Sequence, residues 1–365
     1  MPISVRQMER KQTAMTKTKK IALWVVGAIA GLLLICVLAL GLLFRQELKT
    51  IGSIEKVSDD APYYVMDYTA DYGLDEFLAQ GASTDKELSE FVIQKLMKGL
   101  PVTITLPDLG CSTFNGALEN GNKVFGRNFD NPYKPFMLVH TDPENGYESI
   151  SMVNLGYVGY GDGYEPDSFT NSLLALAAPY IPLDGINEMG LTIGVLQLNV
   201  EPTQQDTEKT DITTTSAIRM VLDKAATVDE AVALLEQYDM YSSANSCFHF
   251  QIADANGDSV VVEYVDNVFS VVEPEAEYLW CTNFFLTEGD WYNVGGGQDR
   301  YEILREELTA RGGVLADEAD AMSVLEAASQ DSTFWSAVYN NTEKTVDIAI
   351  HGEYDTVYSY SLADW

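Results

Sequence analysis

The chain has 365 residues, enough for one large domain or two small ones, and a formal charge of −33. A surface that acidic repels phosphate backbones and argues against a nucleic-acid partner. Four scattered cysteines (Cys36, Cys111, Cys247, Cys281) and three distant histidines (His140, His249, His351) make neither a disulfide framework nor a metal cluster, so no cofactor is expected.

Residues 1–20 form a basic tail, and the first 45 residues carry seven Lys or Arg against one acid. Ile21–Phe44 follows, 24 residues without a charge, long enough to span a hydrocarbon core of about 30 Å as a helix. A cleaved signal peptide has a shorter apolar run and a small-residue cleavage site, which Phe44-Arg45-Gln46-Glu47 does not offer. The expectation is a single transmembrane helix at 21–44, with the basic tail in the cytoplasm and the remainder outside the cell. Residues 45–110 then read as a tether and leading segment. In it, Leu74, Phe77 and Leu78 share one helical face, and Thr84 caps a helix bearing Leu88, Phe91, Val92, Leu96 and Met97. Val102–Leu106 alternates like a strand.

The stretch Gly110–Asp130 is the organising feature. Two β-prone runs flank Glu119-Asn120-Gly121-Asn122, and Asn-Gly accepts the positive φ that a hairpin turn needs. Folding on that turn carries Arg127 and Asp130 toward Cys111, so that a thiol, a guanidinium and a carboxylate converge. Further strands are expected at Phe136–Val139 and Ser149–Val153. Tyr157–Pro166 is either a loop over the site or a surface turn. A hairpin through Asn187–Gly190 leads into Leu191–Gln197. Thr213–Lys224 and Val228–Tyr238 read as helices. Asp254, Asn256 and Asp258 begin like a calcium loop but lack its glycine and its closing glutamate, so a hairpin turn is expected. His249 reads as a core or surface imidazole, with an approach to the site as the alternative, and Asn283 after Trp280-Cys281-Thr282 as a turn former on its own terms. Cys281 with Cys247 is a conceivable pair outside the cell. Gly295-Gly296-Gly297 opens a helix through Leu304 and Leu308. A helix at Asp317–Ser329, a hairpin around Asn340-Asn341 and a strand at Val357–Leu362 close the chain.

Cys111, Arg127 sixteen residues on and Asp130 three further, in Gly-Arg-Asn-x-Asp, resemble the N-terminal-nucleophile amide hydrolases of the choloylglycine hydrolase and penicillin V acylase type. The resemblance recurs at Asn187-Glu188-Met189-Gly190-Leu191, at Thr282-Asn283 and at Arg300-Tyr301. It implies an α+β fold, a four-layer αββα sandwich over residues 111–365 preceded by the transmembrane helix. It also implies a catalytic set of Cys111, Arg127, Asp130, Asn283, Arg300 and either Gln197 or Asn199. The family's strand ends in Leu-Asn, and alignment on Gly190-Leu191 puts Gln197 in that place, with Asn199 two residues on. In such enzymes the cysteine's own α-amine is the general base. Cys111 follows 110 residues, so the resemblance implies self-cleavage between Gly110 and Cys111, with residues 46–110 staying packed as a small subunit. The implied activity is cleavage of a linear, non-peptide C–N amide in a small acyl-amide substrate. Acyl transfer, and an anchored binding protein without catalysis, are the alternatives.

Overall fold

The computed structural model describes residues 5–58, 61–105, 110–131, 135–161 and 163–365. Two compact units divide at Lys49 and Thr50. In the first, a helix spans Val5–Leu43. Its stretch Ala22–Leu43, of mean hydropathy 2.8, is long and apolar enough to cross a membrane by length and composition.

The second unit is built on two mixed sheets. The first has nine strands in the spatial order Glu55–Ser58, Tyr63–Tyr68, Phe136–Thr141, Ser149–Asn154, Pro182–Asn187, Thr192–Leu198, Cys247–Ala253, Ser259–Val265 and Val268–Val272. All pairs are antiparallel except Tyr63–Tyr68 with Phe136–Thr141. The second runs Leu279–Cys281, Gly110–Leu118, Lys123–Asp130, Thr333–Asn340, Thr345–Ile350 and Glu353–Ser361, with Val314–Leu315 added in parallel to Gly110–Leu118. Helices Thr214–Lys224 and Val228–Leu235 pack on the first sheet, and Gln298–Arg311 and Glu318–Ala327 on the second. This is an α+β arrangement consistent with the expected sandwich.

Alternation within the second sheet explains the layering. Phe114, Leu118, Val124 and Val338 join Leu304, Leu308 and Leu325 of the helices in one apolar cluster. Cys111, Phe125, Phe129 and Trp335 belong to the main core instead. Trp335 stacks on Phe129 at 3.9 Å and on Phe136 of the first sheet at 5.7 Å, so this face looks toward the opposite sheet. Gly194 of the first sheet lets the two approach, because a Cβ there would sit 3.2 Å from the Phe125 ring and 3.3 Å from Arg127 Cδ.

Several expectations change. Residues 101–105 form no strand, and Leu106 lies outside the described residues. Val102 and Ile104 are buried as an alternating pattern requires. The amides of Ile104 and Thr105, however, donate to Ser89 Oγ and to the Tyr157 carbonyl, not to a ladder. The helix from Val228 ends at Leu235, and Tyr238–Tyr241 is a strand parallel to Thr210–Thr213. Part of the expected tether, Glu55–Ser58, is an edge strand. Cys247 and Cys281 are both free thiols.

Candidate active site

The hairpin sets the site. Gly110 pairs with Asp130, Cys111 with Phe129 and Thr113 with Arg127. Side chains two apart on one strand share a face, so Arg127 reaches diagonally from its place opposite Thr113 to Cys111. Its Nη2 donates to Cys111 Sγ at 3.3 Å. Both residues are fully buried. Asp130, on the opposite face, approaches the backbone of Cys111, not its thiol.

Arg127 is held from the facing sheet. Its Nε donates to Asp184 Oδ2 at 3.0 Å, and neither side chain is exposed. Asp184 also accepts from Trp335 Nε1 at 3.2 Å and from the Tyr339 hydroxyl. Burial lifts the Asp184 carboxyl above its ordinary value against the pull of Arg127 and these donors. Burial lowers the Arg127 guanidinium, but Cys111 and Asp184 outweigh it and the net shift is upward. The Cys111 thiol is pushed up to about 11 by burial, which Arg127 and Arg300 oppose and Asp130 reinforces. With the chain intact, then, the thiol is neutral near pH 7.

A second network holds the backbone of Cys111. Its N–H donates to Asn283 Oδ1 at 2.9 Å. Arg300 donates through Nη1 to the Cys111 carbonyl and, at 3.1 Å, to Asp130 Oδ2, and through Nη2 to Asn283 Oδ1 at 2.8 Å. Asp130 further accepts from Gln330 Nε2 at 2.8 Å and Thr333 Oγ1 at 2.6 Å. Two donors on Oδ1 fix the orientation of the Asn283 amide. One Nδ2 hydrogen goes to the Gln197 carbonyl at 2.8 Å, which leaves the second available among the described residues. Gly110 admits this packing, since a Cβ there would lie 3.0 Å from Asp130 Cβ and 3.2 Å from its Oδ2.

Cys111, Arg127, Asp130, Asn283 and Arg300 are therefore one connected constellation. Gln197 joins it through its carbonyl, and its side chain donates to Ser246 Oγ at 2.7 Å. Asn199 does not join it. The strand ends at Leu198, the amide of Val200 turns back to the Leu198 carbonyl, and Asn199 is exposed. Sequence reasoning missed Asp184, Gln330 and Thr333. Tyr157 is also buried here; among the described residues its hydroxyl has no hydrogen-bond partner, and Cys111 and Arg127 both act on it electrostatically. No group of three or more His, Cys, Asp or Glu is placed to hold a metal among the described residues.

Comparison with known proteins bears on this geometry. Residues 180–354 match the family described as acyl-coenzyme A:6-aminopenicillanic acid acyl-transferase. A penicillin V acylase of Pectobacterium atrosepticum is 32% identical over 130 residues, which are 31% of this chain and 34% of that protein. By these matches the chain is similar to the choloylglycine hydrolase and penicillin V acylase group of N-terminal-nucleophile hydrolases. The match spans about a third of the length of that curated relative. Two structures of variants of the conjugated bile acid hydrolase of Clostridium perfringens have a similar fold. One is 15% identical with a TM-score of 0.51, the other 14% identical with a TM-score of 0.50, and each alignment covers 70% of this chain and 93% of that one.

Proposed function

We propose that the protein cleaves a linear acyl amide through a thioester on Cys111 after cutting its own chain at Gly110–Cys111. The observation that carries this reading is the double hold on one residue. The thiol of Cys111 sits on a buried arginine, while its backbone nitrogen sits on Asn283 beside Asp130 and Arg300. An ordinary structural cysteine needs neither.

Processing begins when the thiol attacks the Gly110 carbonyl carbon. The acyl group moves from nitrogen to sulfur, and water cleaves the resulting thioester, leaving a carboxylate on Gly110 and a free α-amine on Cys111. That amine stays with Asn283 Oδ1, the partner its N–H already has. In turnover it takes the thiol proton as sulfur attacks the substrate acyl carbon, and it gives that proton to the departing amine. Arg127 stabilises negative charge on sulfur. The free Nδ2 hydrogen of Asn283 faces the developing oxyanion, a contribution of about 3–4 kcal/mol for such a donor. Gln197 holds Asn283 through its carbonyl. Water then clears the acyl group.

Acyl transfer to an amine is the second reading, favoured by the description of the matching family. The substrate class is a small acyl amide, and the acylase relative makes phenoxyacetyl amides a natural first member of a test panel. The stretch Ala22–Leu43 serves as a single-pass anchor with the catalytic unit outside the cell; its retention in the membrane fraction after alkaline carbonate washing checks this. N-terminal sequencing of active protein tests the main reading. A new chain beginning at Cys111, lost together with activity in Cys111→Ala, is expected. Activity in protein whose Gly110–Cys111 bond is intact refutes it. Product analysis with and without added amines separates hydrolysis from transfer.

A further inference from the structure

Another fully buried charged cluster lies beside the Cys111 network. His249, on the strand Cys247–Ala253, has its Nδ1 3.0 Å from Glu263 Oε1 and its Nε2 2.7 Å from the Thr282 carbonyl oxygen. The thiol of Cys281 is 3.4 Å from the same Nε2. His249, Glu263 and Cys281 have no exposed surface.

The hydrogen bonds fix the charge. A carbonyl oxygen only accepts, so Nε2 carries a proton. Glu263 also accepts from the amides of Leu286 at 2.8 Å and Thr287 at 2.9 Å and from the Thr287 hydroxyl at 2.6 Å. A carboxylate surrounded by donors is ionised, so Nδ1 donates as well and the ring is an imidazolium. Burial lowers the ring's affinity for the second proton, but Cys281 and Glu263 more than offset it and lift the pKa to about 10. Burial acts upward on Glu263, and His249, Thr287 and Leu286 bring the net shift below its ordinary value.

The pair grips the chain on both sides of one residue. Thr282, whose carbonyl it binds, precedes Asn283; Leu286 and Thr287, whose amides it binds, follow. We propose that the His249–Glu263 pair is a positioning element that fixes the backbone around Asn283 and so aims the free Nδ2 hydrogen at the oxygen of the reacting acyl group. The proposal rests on the oxyanion role assigned to Asn283 above. The pair touches neither Cys111 nor a reacting atom, and its effect on the reaction passes through Asn283.

A double-mutant cycle on self-processed protein tests it. The probe is p-nitrophenyl phenoxyacetate, an ester reactive enough to acylate the N-terminal thiol without a matched amine site. His249→Phe is expected to lower kcat about 10- to 100-fold, the range for a misaimed oxyanion donor. KM should change by less than about twofold. His249→Gln, which keeps a donor for the Thr282 carbonyl, should recover to within about fivefold of the parent. In an Asn283→Ala background, His249→Phe should cost less than about a further twofold, because coupled residues are not additive. Equal fractional losses in both backgrounds overturn the inference and leave Asn283 in place. An Asn283→Ala variant with parental kcat overturns the Asn283 role, and this proposal with it. Should His249→Phe not fold, Glu263→Gln, which keeps side-chain volume, carries the same cycle and the same criteria.

Discussion

Replacing Asp184 with Asn isolates the charge that holds Arg127. The substitution preserves shape and leaves an acceptor for Arg127 and Trp335, but it strands a guanidinium that has no exposed surface. Breaking a buried ion pair by removing one partner destabilises by about 3–5 kcal/mol. At roughly 2–3 °C per kcal/mol for a unit of this size, the expected loss in Tm is about 6–15 °C. Freed of its anchor, Arg127 Nη2 no longer has to point at Cys111 Sγ, which it meets at 3.3 Å. A misplacement of about 1 Å at such a contact lowers the rate about 100-fold. Calorimetry and acyl-amide turnover measure the two effects separately. An Arg127→Met, Asp184→Leu double variant provides the control: an apolar pair should return to within about 2 kcal/mol of the parent in stability while remaining inactive. An Asp184→Asn protein within about 2 °C of the parent in Tm, turning over at the parental rate, would refute the electrostatic account.

Three further outcomes are expected. Gly110→Ala places a methyl 3.0 Å from Asp130 Cβ, and Asp130 is pinned by Arg300, Gln330 and Thr333. Appearance of the two processed fragments on denaturing gels should slow at least about tenfold, and an unchanged rate would show that the close approach is irrelevant. The pH dependence has a defined sign: the contribution of His249 is complete below pH 6.5 and is lost as pH rises through about 10. Cys111, pushed from 9.0 to about 11, acts in the same direction over that upper range. Tm should therefore fall between neutral pH and pH 10, with a shallower fall in His249→Gln; identical slopes would contradict the assigned charge. Tyr157→Phe removes a buried hydroxyl that has no hydrogen-bond partner among the described residues, so Tm should hold or rise by a few degrees, about 1 kcal/mol. A drop of more than about 5 °C in thermal melts would reveal a partner for that hydroxyl.

The hairpin was legible because its logic is local. Asn120-Gly121 sets the turn, the turn sets the register, and the register puts Arg127 one diagonal from Cys111. Asn283 and Arg300 were singled out by resemblance alone; nothing in Trp280–Phe284 as a string distinguishes a turn former from an amide bound to the Cys111 backbone. Asp184 left little readable signal. In Leu183-Asp184-Gly185 it looks like the start of a turn, and only the stacking of one sheet on the other brings it to Arg127. A lone acid between apolar strand residues was the one available hint. Asn199 failed because period-two reasoning holds only while the strand continues, and the chain turns at Leu198. Residues 102–105 failed in the opposite sense: the pattern of burial was right, but burial of alternate residues does not require a neighbouring strand.

The parallel pairing of Tyr63–Tyr68 with Phe136–Thr141 and the Tyr63–Phe136 stack at 4.8 Å have a consequence for refolding. A break ahead of Cys111 would turn a sheet woven from one polypeptide into one woven from two, with the ladder between its second and third strands intermolecular. Unfolding would then depend on protein concentration, and dilution after denaturation would separate partners that began as one translation product. After dilution from denaturant, the folded spectrum should return for an uncut Cys111→Ala chain, while spectrum and activity should fail to return at low concentration for the processed enzyme.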